Sequence, residues 1–177
     1  MLFRSDGEAL VIDKPAGLPV DRPRDGAISL ENHLDSLRFG FQRWPVAVHR
    51  LDRDTSGCLL LSRNPKAHAR FQQAFEQGLV TKRYVAILDA VPRAAAGVID
   101  LPLAKVSSAE RGWRMTGNPR GKSARTAWTV LAEKDGRALV EFRPETGRTH
   151  QIRVHALEGL GAAVTGDAVY GAAHPRS

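Results

Sequence analysis

The sequence predicts an α+β fold, with a mixed but largely antiparallel sheet flanked by helices. Three observations predict it. The segment "SARTAWTVLAEKDGRALVEFRP" (123–144) places two alternating apolar runs on either side of Asp-Gly, the strongest short hairpin signal. Strand-like segments outnumber helix-like ones. The strands also follow one another through turns rather than alternating with long helices, which argues against a repeated βαβ unit.

The elements read in order as follows. "ALVIDKPAGLPV" (9–20) is a short strand running into a Pro/Gly turn. "SLENHLDSLRF" (29–39) has Ser29 as an N-cap and Leu30, Leu34 and Leu37 at helical spacing, with His33 on the helix surface. Trp44 is expected in the core. "GCLLLSRN" (57–64) is a buried strand in which Cys58 acts as a small core residue. Asn64 and Pro65 open a helix, "PKAHARFQQAFEQG", which Gly78 closes. Phe71 and Phe75 lie on its core face and His68 faces solvent. "VTKRYVAILDAV" (80–91) alternates and is rich in β-branched residues, so it is a strand. "THQIRVHALEGLG" (149–161) reads as a helix with Thr149 as its cap and Ile152, Ala156 and Leu157 as an apolar stripe.

A length of 177 residues suits one domain, at most with two lobes, and is enough to bury a sizeable core. A membrane helix needs roughly 20 apolar residues, and no stretch approaches that. The N-terminus has no secretion-signal pattern, so the cytoplasm is the expected location. One cysteine excludes an internal disulfide and a cysteine-rich zinc site. Lys and Arg number 26 against 19 Asp and Glu, a net charge of +7, which suits a polyanionic partner. Arginine supplies most of the excess, and its planar fork matches phosphate.

"HRLDRDTSG" (49–57) gathers five ionisable side chains in six positions. Leu51 anchors it, and Thr55, Ser56 and Gly57 close a turn. Asp52 and Asp54 point to opposite sides of an extended chain and do not form an evident dyad. A metal reading would combine these aspartates with His49, His150 and His155, but no ligand spacing supports it. From the residues alone, a solvated loop and a catalytic carboxylate held by arginine both remain open.

The loop resembles the signature of the RluA-type RNA pseudouridine synthase family. Four further segments resemble that family's motifs in the same order: "DKPAGLPV" (13–20), "KRY" (82–84), "ETGRTHQIRVH" (145–155) and "GDAVYG" (166–171). The resemblance implies a pseudouridine synthase catalytic domain with a central RNA-binding cleft. It also implies isomerisation of a uridine in tRNA or large-subunit rRNA, with no metal and no organic cofactor. The base is detached at N1, rotated and rejoined through C5.

By the same resemblance Asp52 is the catalytic aspartate. It attacks the sugar, adds to the base or abstracts a proton from the sugar; these alternatives stay open. In each it works as an anion, a form that a nearby arginine favours. Arg148 takes the position that the family pairs with this aspartate, as an arginine–carboxylate fork. Tyr84 takes the tyrosine position, its ring stacking on the displaced uracil. Arg50 enters the gap left by the flipped base, Arg53 touches phosphate, Lys82 makes either a phosphate contact or a structural pair, and Ile152 either lies under the base or packs in the helix core. Arg153 reaches phosphate or solvent. His150 and Gln151 hold the loop, and Asp167 and Tyr170 are structural. The basic stretch 111–125, with Trp113, corresponds to a variable RNA-facing hairpin.

Residues 1–177 are expected to form a single, monomeric catalytic domain without an N-terminal RNA-binding module. The short tail "GAAHPRS" departs from the family and would remove an edge strand. Two other functions compete: a non-catalytic RNA-binding protein of the same fold, and a metal-dependent nuclease using Asp52, Asp54 and His49.

Overall fold

The computed structural model describes residues 2–110 and 112–171. The expectation about the C-terminal tail, and Arg111 of the basic stretch, lie outside them. The chain divides into two compact units, residues 1–80 and 81–177.

The first unit is built on a four-stranded sheet ordered β1 (Leu2–Ser5), β2 (Ala9–Lys14), β4 (Gly57–Ser62) and β3 (Val46–Ala47), with every pairing antiparallel. Leu10 lies opposite Leu61 and Ile12 opposite Leu59, and all four are buried. Each such side chain contributes about 1.5–3 kcal/mol relative to exposure. The helix α1 (Pro65–Glu76) begins at Asn64, whose side chain accepts from the Ala67 amide at 2.8 Å. Its Ala67 is fully buried.

Four expectations in this unit need correction. Cys58 is exposed. The two-residue period that buries Leu59 and Leu61 turns Cys58 outward beside Asp13. Trp44 is also exposed, on a turn before β3. Residues 29–39 form two short 3₁₀ turns, Leu30–His33 and Asp35–Leu37, rather than one helix. Ser29 donates to the Asn32 side chain through both its amide (2.9 Å) and its hydroxyl (3.2 Å), a capping box that starts the first turn as the N-cap expectation has it. His68 is half-buried, with Nδ1 2.8 Å from the Ser62 hydroxyl.

The second unit holds an antiparallel sheet ordered β5 (Tyr84–Leu88), β10 (Arg137–Pro144), β9 (Arg125–Lys134) and β6 (Ala96–Asp100). A separate ribbon pairs β7 (Leu103–Ser108) with β8 (Gly112–Gly117). The β9–β10 hairpin turns on Asp135 and Gly136, at φ 52° and 74°, as the sequence predicts. Leu88, Trp128, Val140, Phe142 and Ala156 form the core beneath this sheet. The helix α2 (Gln151–Val154) passes directly into a π-helical turn, His155–Gly159. Its cap is His150, at φ 54°, not Thr149. The antiparallel sheets with few helices agree with the predicted α+β class.

Candidate active-site residues

In the first unit, the loop 49–57 is fixed from both ends. Leu51 is buried, and the Thr55 amide donates to the Asp52 carbonyl at 3.1 Å, closing the turn. His49 stacks on Phe75 with centroids 4.8 Å apart, and its Nε2 accepts from the Leu60 amide at 3.0 Å. That acceptor role makes His49 a structural part of the loop base. Among the described residues, no group of three or more His, Cys, Asp or Glu is placed to hold a metal ion.

The strongest anchor is a residue that the sequence reading passed over. Lys14 is fully buried at the end of β2. Its Nζ donates to the carbonyls of Pro15 (2.9 Å), Leu18 (2.7 Å) and Arg53 (3.0 Å). The Gly17 amide also donates to the Arg53 carbonyl at 2.9 Å, and Arg53 Nε donates back to the Gly17 carbonyl at 3.2 Å. Gly17 sits at φ 86°, a conformation costly for any residue with a Cβ. "DKPAG" therefore grips the residue next to Asp52. Burial lowers the pKa of Lys14, while Asp54 and Asp52 pull the other way. The signal was present in the two-residue period of β2: Leu10 and Ile12 point inward, so Lys14 must as well.

Asp52 is half-buried, whereas Arg50 and Arg53 are exposed. Arg50 makes a 2.6 Å ion pair with Asp21, a partner that no local pattern announced.

In the second unit, Tyr84 opens β5 opposite Phe142 and packs, half-buried, against the sheet's core. Lys82 donates to the Thr146 carbonyl at 3.0 Å, which ties "KRY" to "ETGRTH". Burial lowers its pKa. Arg148 is exposed, and its Nε donates to the Ser123 carbonyl at 2.9 Å.

Gln151 organises the chain that leads into α2. Its Oε1 accepts from the Arg148 amide (3.0 Å) and the Thr146 hydroxyl (2.7 Å). Its Nε2 donates to the Arg125 carbonyl (3.0 Å) and to Thr126 Oγ1 (2.9 Å). All the amide's bonding capacity is therefore used to shape the backbone around Arg148. Beyond it, the buried His155 lies 2.8 Å from the Thr126 hydroxyl and 2.9 Å from the Leu101 carbonyl. Burial lowers its pKa, which favours the neutral ring.

Ile152 is half-buried against the sheet's core. Arg153 holds Asp167 through Nε (2.6 Å) and Nη2 (2.8 Å) and lies over the Tyr170 ring. Burial would raise the Asp167 carboxyl; Arg153 and the Tyr170 and Val169 amides outweigh it and lower the pKa. The Tyr170 hydroxyl accepts from the Met115 amide at 2.9 Å and lies 2.8 Å from His150 Nδ1. Trp113 stacks on His150, centroids 5.1 Å apart, with Lys105 Nζ 4.7 Å from the Trp113 ring. Residues of the β7–β8 ribbon, "THQIRVH" and "GDAVYG" thus form one connected cluster.

The expected site residues divide between the units: Arg50, Asp52 and Arg53 in the first, and Lys82, Tyr84, Trp113, Arg148, Ile152 and Arg153 in the second. Within each unit, the family-like segments bond to one another.

Comparison with known proteins identifies the class. Residues 8–158 match the model of the RNA pseudouridylate synthase family. An uncharacterised RNA pseudouridine synthase of Zymomonas mobilis is 63% identical over 94% of this chain and 76% of its own length. The ribosomal large subunit pseudouridine synthase D of the same organism is 36% identical over 94% of this chain, which spans 54% of that protein. The structure of human RNA pseudouridylate synthase domain containing 4 superposes with a TM-score of 0.81 at 30% identity, covering 98% of this chain and 69% of the human one. The chain belongs to the RNA pseudouridylate synthase family, isomerases that convert uridine in RNA to pseudouridine.

No helix among the described residues is long and apolar enough to cross a membrane.

Proposed function

We propose that this chain isomerises one uridine of tRNA or large-subunit rRNA in the cytoplasm, as a monomer, with Asp52, Tyr84 and Arg148 as its catalytic residues. The observation that carries the reading is the Lys14 clamp, which ties the Arg53 carbonyl, next to Asp52, to the turn that carries the Pro15 and Leu18 carbonyls. A nucleophile or base must be positioned before it can react, and a loop tied this way is already ordered. The rRNA alternative draws support from the relative named for the large ribosomal subunit. The reading takes residues 1–177 as one catalytic domain.

The chemistry balances within the nucleotide. The C1′–N1 bond breaks, the base rotates, a C1′–C5 bond forms, the C5 proton leaves to solvent and N1 gains one. Asp52 supplies the anion that assists cleavage of the glycosidic bond. Arg148 supplies positive charge, and the Tyr84 ring faces the displaced uracil. Arg50, Arg53, Lys82, Ile152, Arg153 and Trp113 serve RNA binding.

Loss of the C5 hydrogen gives the test. Bulk RNA labelled with tritium at uracil C5 should release its label in the presence of EDTA. Asp52→Asn should reduce release by at least about 10³-fold. RNA affinity should stay within about three-fold, because phosphate contacts dominate it. Binding without release would establish a binding protein instead. EDTA-sensitive strand cleavage would establish a nuclease. Label release by Asp52→Asn at the wild-type rate would remove Asp52 from the catalytic role.

A further inference from the structure

The segment "RFGFQRW" (38–44), just upstream of β3, presents Phe39, Phe41 and Trp44 to solvent at 54%, 43% and 53% exposure. Three large exposed aromatics within six residues are not explained by the core of the first unit. Their support is rigid. The Arg38 carbonyl accepts from the Phe41 amide (3.1 Å) and from Arg63 Nη1 (3.0 Å), and Arg38 Nη1 donates to the Gln42 carbonyl at 3.0 Å.

Cations back two of the rings. The Arg63 guanidinium lies 4.2 Å from the Phe41 centroid, and that of Arg38 lies 5.3 Å from the Trp44 centroid. Arg63 is only 5% exposed, and its Nε has no hydrogen-bond partner. Among the described residues no ion pair involves Arg63 or the exposed Arg43, whereas Arg38 is paired with Asp35 at 2.7 Å. The patch therefore combines exposed aromatic faces with the exposed Arg43, while Arg38 is paired with Asp35 and Arg63 is buried with Asp6 as a charged neighbour.

Phe39 adds an independent observation. Its φ is 48°, a left-handed conformation that is an outlier for a bulky side chain and for which Gly or Asn would be cheaper. Burial does not compensate, since the ring is mostly in solvent. Local stability thus argues against a phenylalanine here.

We propose that Phe39, Phe41 and Trp44 form a base-stacking platform for an unpaired segment of the substrate RNA. The proposal rests on the RNA reading above and adds a contact surface to it. Stacking favours single strands because the faces of unpaired bases are open, while cations attract the phosphate chain. Phe41 is held from below by Arg63, which leaves its outer face for a base.

The test uses the full chain and an oligouridylate of about 12 nucleotides, with a blunt RNA duplex as comparator. Phe39→Asn suits the left-handed backbone and should leave thermal stability unchanged or raised. Trp44→Ala removes an exposed ring. Each should weaken oligouridylate binding by about 5- to 100-fold, and duplex binding by less than about two-fold. Photocrosslinking of a 4-thiouridine version should label residues 39–44. Oligouridylate affinity unchanged in both variants, equal losses for oligouridylate and duplex, or crosslinks confined elsewhere would overturn the platform. Tritium release by the wild type separates the two readings. Release together with unaltered variant binding would reject the platform and keep the isomerase. No release together with weakened variant binding would do the reverse.

Discussion

Replacing Lys14 with Met would cut the clamp that holds the loop carrying Asp52. Methionine retains most of the stem's length and fills the same buried space. It removes three bonds, at 2.9, 2.7 and 3.0 Å, from a charged donor. Such bonds contribute about 1.5–3 kcal/mol each. Against them stands the desolvation of a buried ammonium, itself several kcal/mol in ordinary proteins. The Arg53 carbonyl keeps the Gly17 amide, so that acceptor is not orphaned. The net destabilisation is about 2–4 kcal/mol, read from urea unfolding. Turnover should fall further than RNA affinity, because the bond lost is to the residue next to Asp52. The pH dependence adds a signed check. Burial lowers Lys14 from 10.5, so the folded chain releases this proton before the unfolded chain does. Stability from this group then rises with pH between the lowered value and 10.5. The stability gap between wild type and Lys14→Met should widen over that range. A variant within about 0.5 kcal/mol of wild type, or a gap that narrows as pH rises, would refute the reasoning.

Two further outcomes follow from the same geometry. Asp167→Asn leaves the Arg153 guanidinium without its anion and should cost up to about 3–5 kcal/mol, measured by urea unfolding at neutral pH. Because the folded Asp167 pKa lies below 3.8, this contribution is fully present above 3.8 and is lost as pH falls through the lower folded value. The wild-type and variant stabilities should therefore converge only in strong acid. Asn64→Ala removes the side chain that accepts from the Ala67 amide and should lower stability by about 0.5–2 kcal/mol, with an unchanged urea midpoint counting against the cap.

Local pattern carried much of the fold. The β9–β10 hairpin, β2, β4 and α1 lie where period, turn residues and caps put them. Readings failed at two helix boundaries. Residues 29–39 break into two 3₁₀ turns despite the Ser29–Asn32 capping box, and α2 starts after His150 with no side-chain cap, where Thr149 was expected to provide one. Cys58 and Trp44 were misplaced because an apolar character does not specify which side of a strand or turn is covered. In the candidate site, the charged loop stood out by its density of ionisable groups. Its supports did not. Lys14 to Arg53 spans 39 positions, Lys82 to Thr146 spans 64 and Arg148 to Ser123 spans 25. Such bonds join a cation to a carbonyl far along the chain, and a carbonyl has no letter in the sequence.

His150 touches Trp113 on one face and the Tyr170 hydroxyl at its edge, and its left-handed backbone starts α2 two residues after Arg148. The β7–β8 ribbon is thereby geared to the guanidinium's mounting. A load applied at the tryptophan must either slip that ring off the imidazole or twist the peptide on which the helix begins. Within this unit, the ribbon's tryptophan and the start of the helix beside Arg148 thus share one imidazole as their common support.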